Sequence, residues 1–188
     1  MTGRAKVIAF ANQKGGVAKT TTTLNLAAAF VEEGHRVLCV DMDPQGNLTM
    51  SQGLDPDSLD RSMFDVLVHD LPIREVIVPV QCEYLSMRGL IQLQNTLSMI
   101  QENLNPDVDI AGILPTMVDA RTLHAKEAIE LLEENFGDRV FASRITKTVR
   151  FAEAPVKGMS VLKYDPDGKA AYAYRALAKE VLGDGKRR

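Results

Sequence analysis

Short apolar runs alternate with segments of helical periodicity in the first part of the chain. Residues 6–11 and 36–41 have the apolar character of buried strands, and residues 20–33 between them predict a helix that ends at Gly34. The apolar positions of this helix share one face: Leu24, Ala27, Ala28 and Val31. Two strands joined by one helix form a βαβ unit, which favours a parallel sheet. The pattern predicts an α/β fold, with a mostly parallel twisted sheet and helices on both faces.

The same alternation continues along the rest of the chain. Further strands are predicted at residues 75–80, 109–114, 139–142 and 160–162. Further helices are predicted at residues 64–68, 86–104, 122–136 and 167–182. The helix over 122–136 ends at Gly137, and its inward positions are Ala125, Ile129, Leu132 and Phe136. No internal repeat or linker interrupts the pattern, so we expect a single domain over residues 1–188.

Composition excludes several classes of protein, and charge divides the chain. The two cysteines, Cys39 and Cys82, lie too far apart for a zinc motif, and no apolar run is long enough to span a membrane. We therefore expect a cytoplasmic protein. Residues 1–138 hold 10 Lys and Arg against 20 Asp and Glu, whereas residues 139–188 hold 12 against 5. A basic C-terminal quarter fits contact with a polyanion, and it equally fits a solvated surface.

Residues 12–21 lie between a predicted strand and a predicted helix, where phosphate binding is favoured. Unpaired backbone N–H groups and the helix dipole attract an anion there, and glycines let the backbone approach it closely. Lys19 is placed to reach the β- and γ-phosphates of a nucleotide, and the Thr20 hydroxyl to coordinate Mg²⁺. Gln13 and Ala18 replace the two glycines of the usual G-x-x-x-x-G-K-[ST] pattern. The sequence predicts a variant phosphate-binding loop.

The segment from Lys14 to Thr20, Lys-Gly-Gly-Val-Ala-Lys-Thr, resembles the deviant Walker A motif of the ParA/Soj/MinD ATPases, which have a P-loop NTPase-like fold. Three further segments are similar to blocks of Soj-type partition proteins: Asp41-Met-Asp-Pro-Gln-Gly-Asn47, Val78-Pro-Val-Gln81 followed by Glu83, and Ala152-Glu-Ala-Pro155. The resemblance implies a chromosome or plasmid partition protein. Ala18 departs from the family pattern, in which glycine is frequent.

The resemblance also implies roles for individual residues. ATP would be bound by the loop residues Lys14, Gly15, Gly16, Val17, Ala18, Lys19, Thr20 and Thr21. Lys14 would reach across an ATP-dependent homodimer to the partner's nucleotide, and Asp43 would orient the attacking water. The Mg²⁺ site would use Thr20, Asp41 and Asp43. A simple Asp-Pro turn is the alternative interpretation of Asp43.

The chain lacks a segment that the family normally contains. Between Arg74 and Val80 we would expect an edge strand, a helix and a strand ending in Asp-x-Pro-Pro, and no such segment is present. The predicted domain therefore carries an apparent internal deletion near residues 74–80. Because the missing aspartate holds a Mg²⁺-bound water in the family, ATP hydrolysis is in doubt.

The resemblance implies nonspecific binding of double-stranded DNA through Arg121 and Arg150, association with the nucleoid, and a ParB-like partner protein. For either arginine a solvated surface role is as good an explanation. Two alternative functions remain: a nucleotide- and DNA-binding relic that no longer hydrolyses ATP, and a MinD-like division-site regulator. The latter would need an amphipathic membrane helix, and we expect no membrane contact because the last apolar stretch is short.

Overall fold

The computed structural model describes residues 6–12, 14–43, 45–55, 75–81, 95, 98–99, 101–103, 106–107 and 109–183. Its elements are β1 (Ile8–Phe10), α1 (Lys19–Glu32), α2 (Asn47–Met50), β2 (Glu75–Gln81), β3 (Asp109–Thr116), α3 (Leu123–Phe136), a 3-10 turn (Gly137–Arg139), α4 (Arg150–Val156), α5 (Val161–Tyr164) and α6 (Lys169–Leu182). The chain forms two compact units. The first contains the described parts of Met1–Lys19 and Leu71–Thr146, and the second those of Thr20–Asp70 and Lys147–Lys186.

The first unit is built on a parallel sheet. Its strand order is β1-β2-β3, and both strand pairs are parallel, as the sequence predicts. Ile8 pairs with Glu75 in the first ladder, and Glu75 pairs with Asp109 in the second. A mixed helix and strand architecture with parallel pairing confirms the predicted α/β class.

Helix α3 packs its apolar stripe against this sheet. Thr122 caps the helix by accepting a hydrogen bond from the Ala125 amide at 3.3 Å, and Gly137 ends it with φ of 51°. The core of the unit is made by Ile110, Ile113, Val118, Ala125 and Leu132, with Ile129 and Phe136 packed at its margin. The predicted helix and its predicted inward face are both confirmed.

The second unit is helical in its described residues. Its buried side chains include Leu26 and Ala29 from α1, Val161 and Leu162 from α5, and Tyr174, Leu177 and Ala178 from α6. The Tyr174 hydroxyl lies 3.3 Å from the Thr22 hydroxyl, and burial raises the pKa of Tyr174 well above its ordinary value. The predicted helices over 20–33 and 167–182 are confirmed, the second beginning at Lys169.

The buried face of α1 differs from the predicted one. Thr22, Asn25, Leu26 and Ala29 are buried, whereas Val31 is 58% exposed. The predicted face of Leu24, Ala27, Ala28 and Val31 instead lines an open groove of about 320 Å³, together with Val37 and Cys39. The predicted face is the more apolar of the two, which is why periodicity favoured it. The observed face is buried because Thr22 forms a hydrogen bond with Tyr174 and Asn25 accepts one from the Val161 amide.

Two predicted strands are wrong, and a third is reduced to a single bridge. Residues 36–41 form neither a strand nor a helix and pair with no strand among the described residues, and Leu38 is 86% exposed. A strand needs a neighbour for its backbone groups, and propensity alone does not supply one. Residues 160–162 enter helix α5 instead, and in 139–142 only Val140 forms a bridge, to Ile113.

Other predicted elements fall largely outside the described residues. The helix at 64–68 lies wholly outside them. Of the helix at 86–104, the described residues Asn95, Ser98, Met99 and Gln101–Asn103 are helical. In the part of the chain that the structure describes, no helix is long and apolar enough to cross a membrane.

Candidate functional site

The loop after β1 curls tightly in the first unit. The Lys14 amide donates to the Asn12 side-chain oxygen at 2.9 Å, which starts the turn. Gly16 and Ala18 both have left-handed backbone, with φ of 73° and 67°. A Cβ atom added to Gly15 or Gly16 would meet no atom within 4 Å, so the space over the loop is open. This is the backbone form that an anion cradle requires.

The base of the loop is anchored to the sheet by a residue that the sequence analysis did not single out. The Thr116 hydroxyl, at the carboxyl end of β3, donates to the Val17 carbonyl at 3.2 Å. Both residues are almost completely buried. Ligands of parallel sheets lie at the carboxyl ends of the strands, and the position of Thr116 directly after an apolar strand was the available signal.

The two lysines of the loop are placed differently. The Lys19 ammonium group lies 3.1 Å from the Lys14 carbonyl oxygen, so its side chain folds back over the loop. Lys14 is exposed. Residues 14–19 therefore bring together backbone N–H groups, an ammonium group over the loop and a second lysine at the surface. This donor set suits phosphate groups.

Helix α1 begins directly after the loop, and its first turn is held within the second unit. The Asn25 side chain donates to the Thr21 carbonyl at 2.8 Å and accepts from the Val161 amide at 2.7 Å. Asn25 is buried and was not predicted from the sequence as a site residue. A cavity of about 40 Å³ beside Thr20 and Thr21 has room for water but is far too small for a nucleotide.

The two aspartates of the acidic turn lie together in the second unit. Asp41 accepts the Asp43 amide at 3.2 Å through one carboxylate oxygen. Its other oxygen accepts the amides of Leu48 and Thr49 and the Thr49 hydroxyl, at 3.0 to 3.1 Å, so it holds the start of α2. Asp43 accepts the Gln45 amide at 3.0 Å and the Asn47 side-chain amide at 2.9 Å. Both carboxylates thus have a structural role, and their roles at a metal or at the attacking water stay predictions.

The described residues offer few side chains that could bind a metal ion. Among them, no group of three or more His, Cys, Asp or Glu side chains is close enough to hold a metal ion. A Mg²⁺ ion held mainly by nucleotide phosphates and waters needs only one or two protein oxygens. Asp41, Asp43 and Thr20 supply oxygens of the required type.

The two predicted DNA contacts, Arg121 and Arg150, lie in different units, and both already hold carboxylates. Arg121 is exposed and forms a bidentate pair with Asp119, with N–O distances of 2.9 and 2.8 Å. Arg150 contacts the Glu153 carboxylate at 2.7 Å and the Asp165 carboxylate at 3.4 Å. These pairs raise the pKa of both guanidinium groups, chiefly through the hydrogen bonds that the guanidinium groups donate to Asp119 and Glu153.

Pairing of arginine with carboxylates extends over the described part of the basic C-terminal quarter, residues 139–188. Its other arginines also contact carboxylates: Arg139 with Asp109, Arg144 with Glu133, and Arg175 with Glu32. The described lysines of this region form no ion pair within the described residues: Lys147, Lys157, Lys163, Lys169 and Lys179. The excess positive charge of this region is therefore carried by its lysines.

Comparison with known proteins adds evidence of kinship. The CobQ/CobB/MinD/ParA nucleotide binding domain family matches residues 8–161. The sporulation initiation inhibitor protein Soj of Bacillus subtilis is 33% identical, over 96% of this chain and 99% of its own. The chromosome-partitioning ATPase Soj of Thermus thermophilus is 35% identical, over 95% of this chain and 97% of its own.

A solved structure agrees in fold. Cobyrinic acid a,c-diamide synthase from Mycobacterium smegmatis, with a bound ATP analog and magnesium, superimposes with a TM-score of 0.81 and 30% identity, over 95% of this chain and 94% of that one. The alignment with the Bacillus subtilis protein has 251 positions, whereas this chain has 188 residues. The relative therefore contains residues that have no counterpart here.

Proposed function

Because the chain belongs to the ParA/Soj family of CobQ/CobB/MinD/ParA nucleotide binding domains, we propose that it is an ATP-dependent DNA partition protein. The observation that carries the proposal is the curled loop at Lys14–Lys19, whose left-handed backbone and folded-back Lys19 form a cradle for phosphate groups. Solved relatives hold ADP or an ATP analog together with magnesium. The ligand that fits this loop is Mg-ATP.

We assign the residues of the site as follows. Lys19 and the amides of residues 15–21 bind the phosphates, and the Thr20 hydroxyl serves the metal. Asp43 orients the attacking water, and Asp41 supports the metal's water shell while it holds α2. The ion, when bound, neutralises charge on the phosphates. The left-handed backbone at Gly16, with φ of 73°, explains why glycine stands at that position.

Lys14 gives the site its dependence on a second subunit. Its side chain is exposed, although its amide is fixed by Asn12, so the ammonium group is presented at the surface of the unit. We assign it to the ATP of a partner copy in a homodimer. Nucleotide binding and dimer formation are then thermodynamically linked.

The dimer would bind double-stranded DNA without sequence preference, through Arg121, Arg150 and the lysines of the C-terminal quarter. Such binding depends on phosphate neutralisation and weakens with salt. A ParB-like partner and a cytoplasmic, nucleoid-associated location follow from the same function. The Soj relatives named above support this assignment over a division-site regulator.

Hydrolysis of ATP depends on a segment that this chain lacks. No Asp-x-Pro-Pro sequence occurs in this chain, and the relatives contain residues without a counterpart here. We propose that this difference is an internal deletion near residues 74–80. A nucleotide- and DNA-binding protein that hydrolyses ATP slowly or not at all is the alternative function that this observation favours.

The first test is the binding of Mg-ATP, measured by calorimetry. Lys19→Ala should abolish it, because the ammonium group over the loop is lost. Lys163→Ala, the same change on a lysine distant in sequence from the loop, serves as the control and should leave affinity unchanged. Equal affinity of the wild type and Lys19→Ala would show that the site is assigned wrongly.

A further inference from the structure

The ion-pair cluster at Arg150 consists of one positive and two negative side chains. One guanidinium group faces two carboxylates there, those of Glu153 and Asp165. A DNA phosphate approaching this cluster meets a net negative charge, although it approaches an arginine. The guanidinium has to exchange a carboxylate for the phosphate before it binds DNA.

The cluster is held together by more than one contact. The Tyr164 hydroxyl donates to the same Glu153 oxygen that Arg150 contacts, at 3.2 Å, and the Arg150 guanidinium lies 5.9 Å from the centroid of the Tyr164 ring. Hydrogen bonding from Arg150 lowers the pKa of Glu153, so this carboxylate stays charged near neutral pH. Asp165 packs against Gly168, where a Cβ atom would collide with its carboxylate.

We propose that Glu153, positioned by Tyr164, competes with DNA phosphate for Arg150 and thereby sets the DNA affinity of the protein. This inference rests on the proposed DNA-binding function and adds to it a residue that restrains binding. The ligand is the phosphate backbone of double-stranded DNA. Arg150 and Glu153 are one helical turn apart in α4, so the competing pair lies within a single short helix. We call this pair, with Tyr164 holding Glu153, the latch.

The test compares the binding of a short random-sequence DNA duplex in Mg-ATP by fluorescence anisotropy. Glu153→Gln should bind about threefold to fivefold more tightly than the wild type, the size expected for an exposed pair. Glu134→Gln removes the same charge from an exposed position in α3 and should have little effect. Tyr164→Phe removes no charge and should also tighten binding, because Glu153 loses its positioning hydrogen bond.

A double-mutant cycle shows whether Glu153 acts through Arg150. In an Arg150→Ala background, Glu153→Gln should no longer change DNA affinity.

An NMR titration gives a second measurement that needs no DNA. Glu153 should titrate below its ordinary pKa in the wild type and return towards it in Arg150→Ala. Titration at the ordinary value in both proteins would overturn the inference.

The outcomes separate this inference from the function on which it rests. If the wild type binds DNA and Glu153→Gln binds no more tightly, the latch is wrong and the proposed function stands. An equal gain in Glu134→Gln, or a gain that persists in the Arg150→Ala background, also overturns the latch. If neither the wild type nor Glu153→Gln binds DNA at low salt, both the DNA-binding function and the latch are wrong.

Discussion

Ala18 stands where glycine is frequent in the family, and the structure shows that its backbone conformation is strained. Its φ of 67° is left-handed, a region that glycine enters freely and alanine does not. It is also 8% exposed, so the strained position is enclosed by its surroundings. The frequent glycine of the family is thus explained by backbone geometry at this position.

We predict that Ala18→Gly stabilises the protein by about 0.5–1 kcal/mol. Relief of a left-handed alanine, about 1–2 kcal/mol, exceeds the entropy that glycine loses on folding. Urea denaturation measures the change. Ala152→Gly, in the exposed face of helix α4, should instead destabilise by about 1 kcal/mol. Loss of stability in both variants would contradict the argument.

Asp41 has a structural role in addition to its proposed role near the metal ion. It accepts hydrogen bonds from both the amide and the hydroxyl of Thr49, so it organises the segment that also contains Asp43. Replacing Asp41 would disturb the position of Asp43 as well as any direct role in metal binding. A loss of activity at Asp41 alone would therefore not identify it as a metal ligand.

Among the elements, the segment over residues 36–42 is the main departure from the predicted fold. Leu38 is 86% exposed, Met42 58% and Val40 40%, and none of these residues belongs to a helix or a strand. Neighbouring apolar side chains that are exposed in this way favour association with other chains.

We predict that the wild type self-associates as its concentration rises and that Leu38→Lys reduces this association. A charge within this exposed apolar segment opposes its contact with another chain. Sedimentation velocity over a concentration series measures the effect. Leu123→Lys, at a leucine that is 67% exposed at the start of helix α3, is the matched control. The same reduction in both variants would show that the segment has no special part in association.

At the scale of the whole molecule, ATP is expected to control assembly. We predict that Mg-ATP, but not Mg-ADP, promotes a dimer, because Lys14 of each subunit would reach the partner's γ-phosphate. Lys14→Ala should block the dimer while the monomer still binds nucleotide, in contrast to Lys19→Ala. Light scattering together with calorimetry distinguishes the two effects. A wild type that stays monomeric with ATP bound would refute this role for Lys14.

Hydrolysis also depends on the whole molecule. We predict turnover about 10²–10³-fold below that of the chromosome-partitioning ATPase Soj of Thermus thermophilus measured side by side, because the proposed deletion would remove an electrostatic element of the site. Steady-state phosphate release, with and without duplex DNA, tests this. Turnover equal to that of the relative, and abolished by Asp43→Ala, would show that another carboxylate has taken the missing role.

Some features could be predicted from the sequence because they depend on neighbouring residues. The helix over 122–136 with its end at Gly137, the end of α1 at Gly34 and the loop between β1 and α1 were all predicted from local pattern. These features depend on backbone conformation and on contacts within a few residues. The parallel sheet was also predicted, but from a βαβ unit whose second strand, residues 36–41, does not form.

Other features depend on a partner that is distant in sequence, so they become visible only in the folded chain. The stripe of α1 that is buried follows from Tyr174 and Val161, the anchor of the loop from Thr116, and the fate of residues 36–41 from the lack of a neighbouring strand among the described residues. Similarly, the sequence does not show that Arg144 pairs with Glu133 and that Arg175 pairs with Glu32. Strand pairing, burial and ion pairing are properties of two segments, and one segment's pattern does not contain its partner.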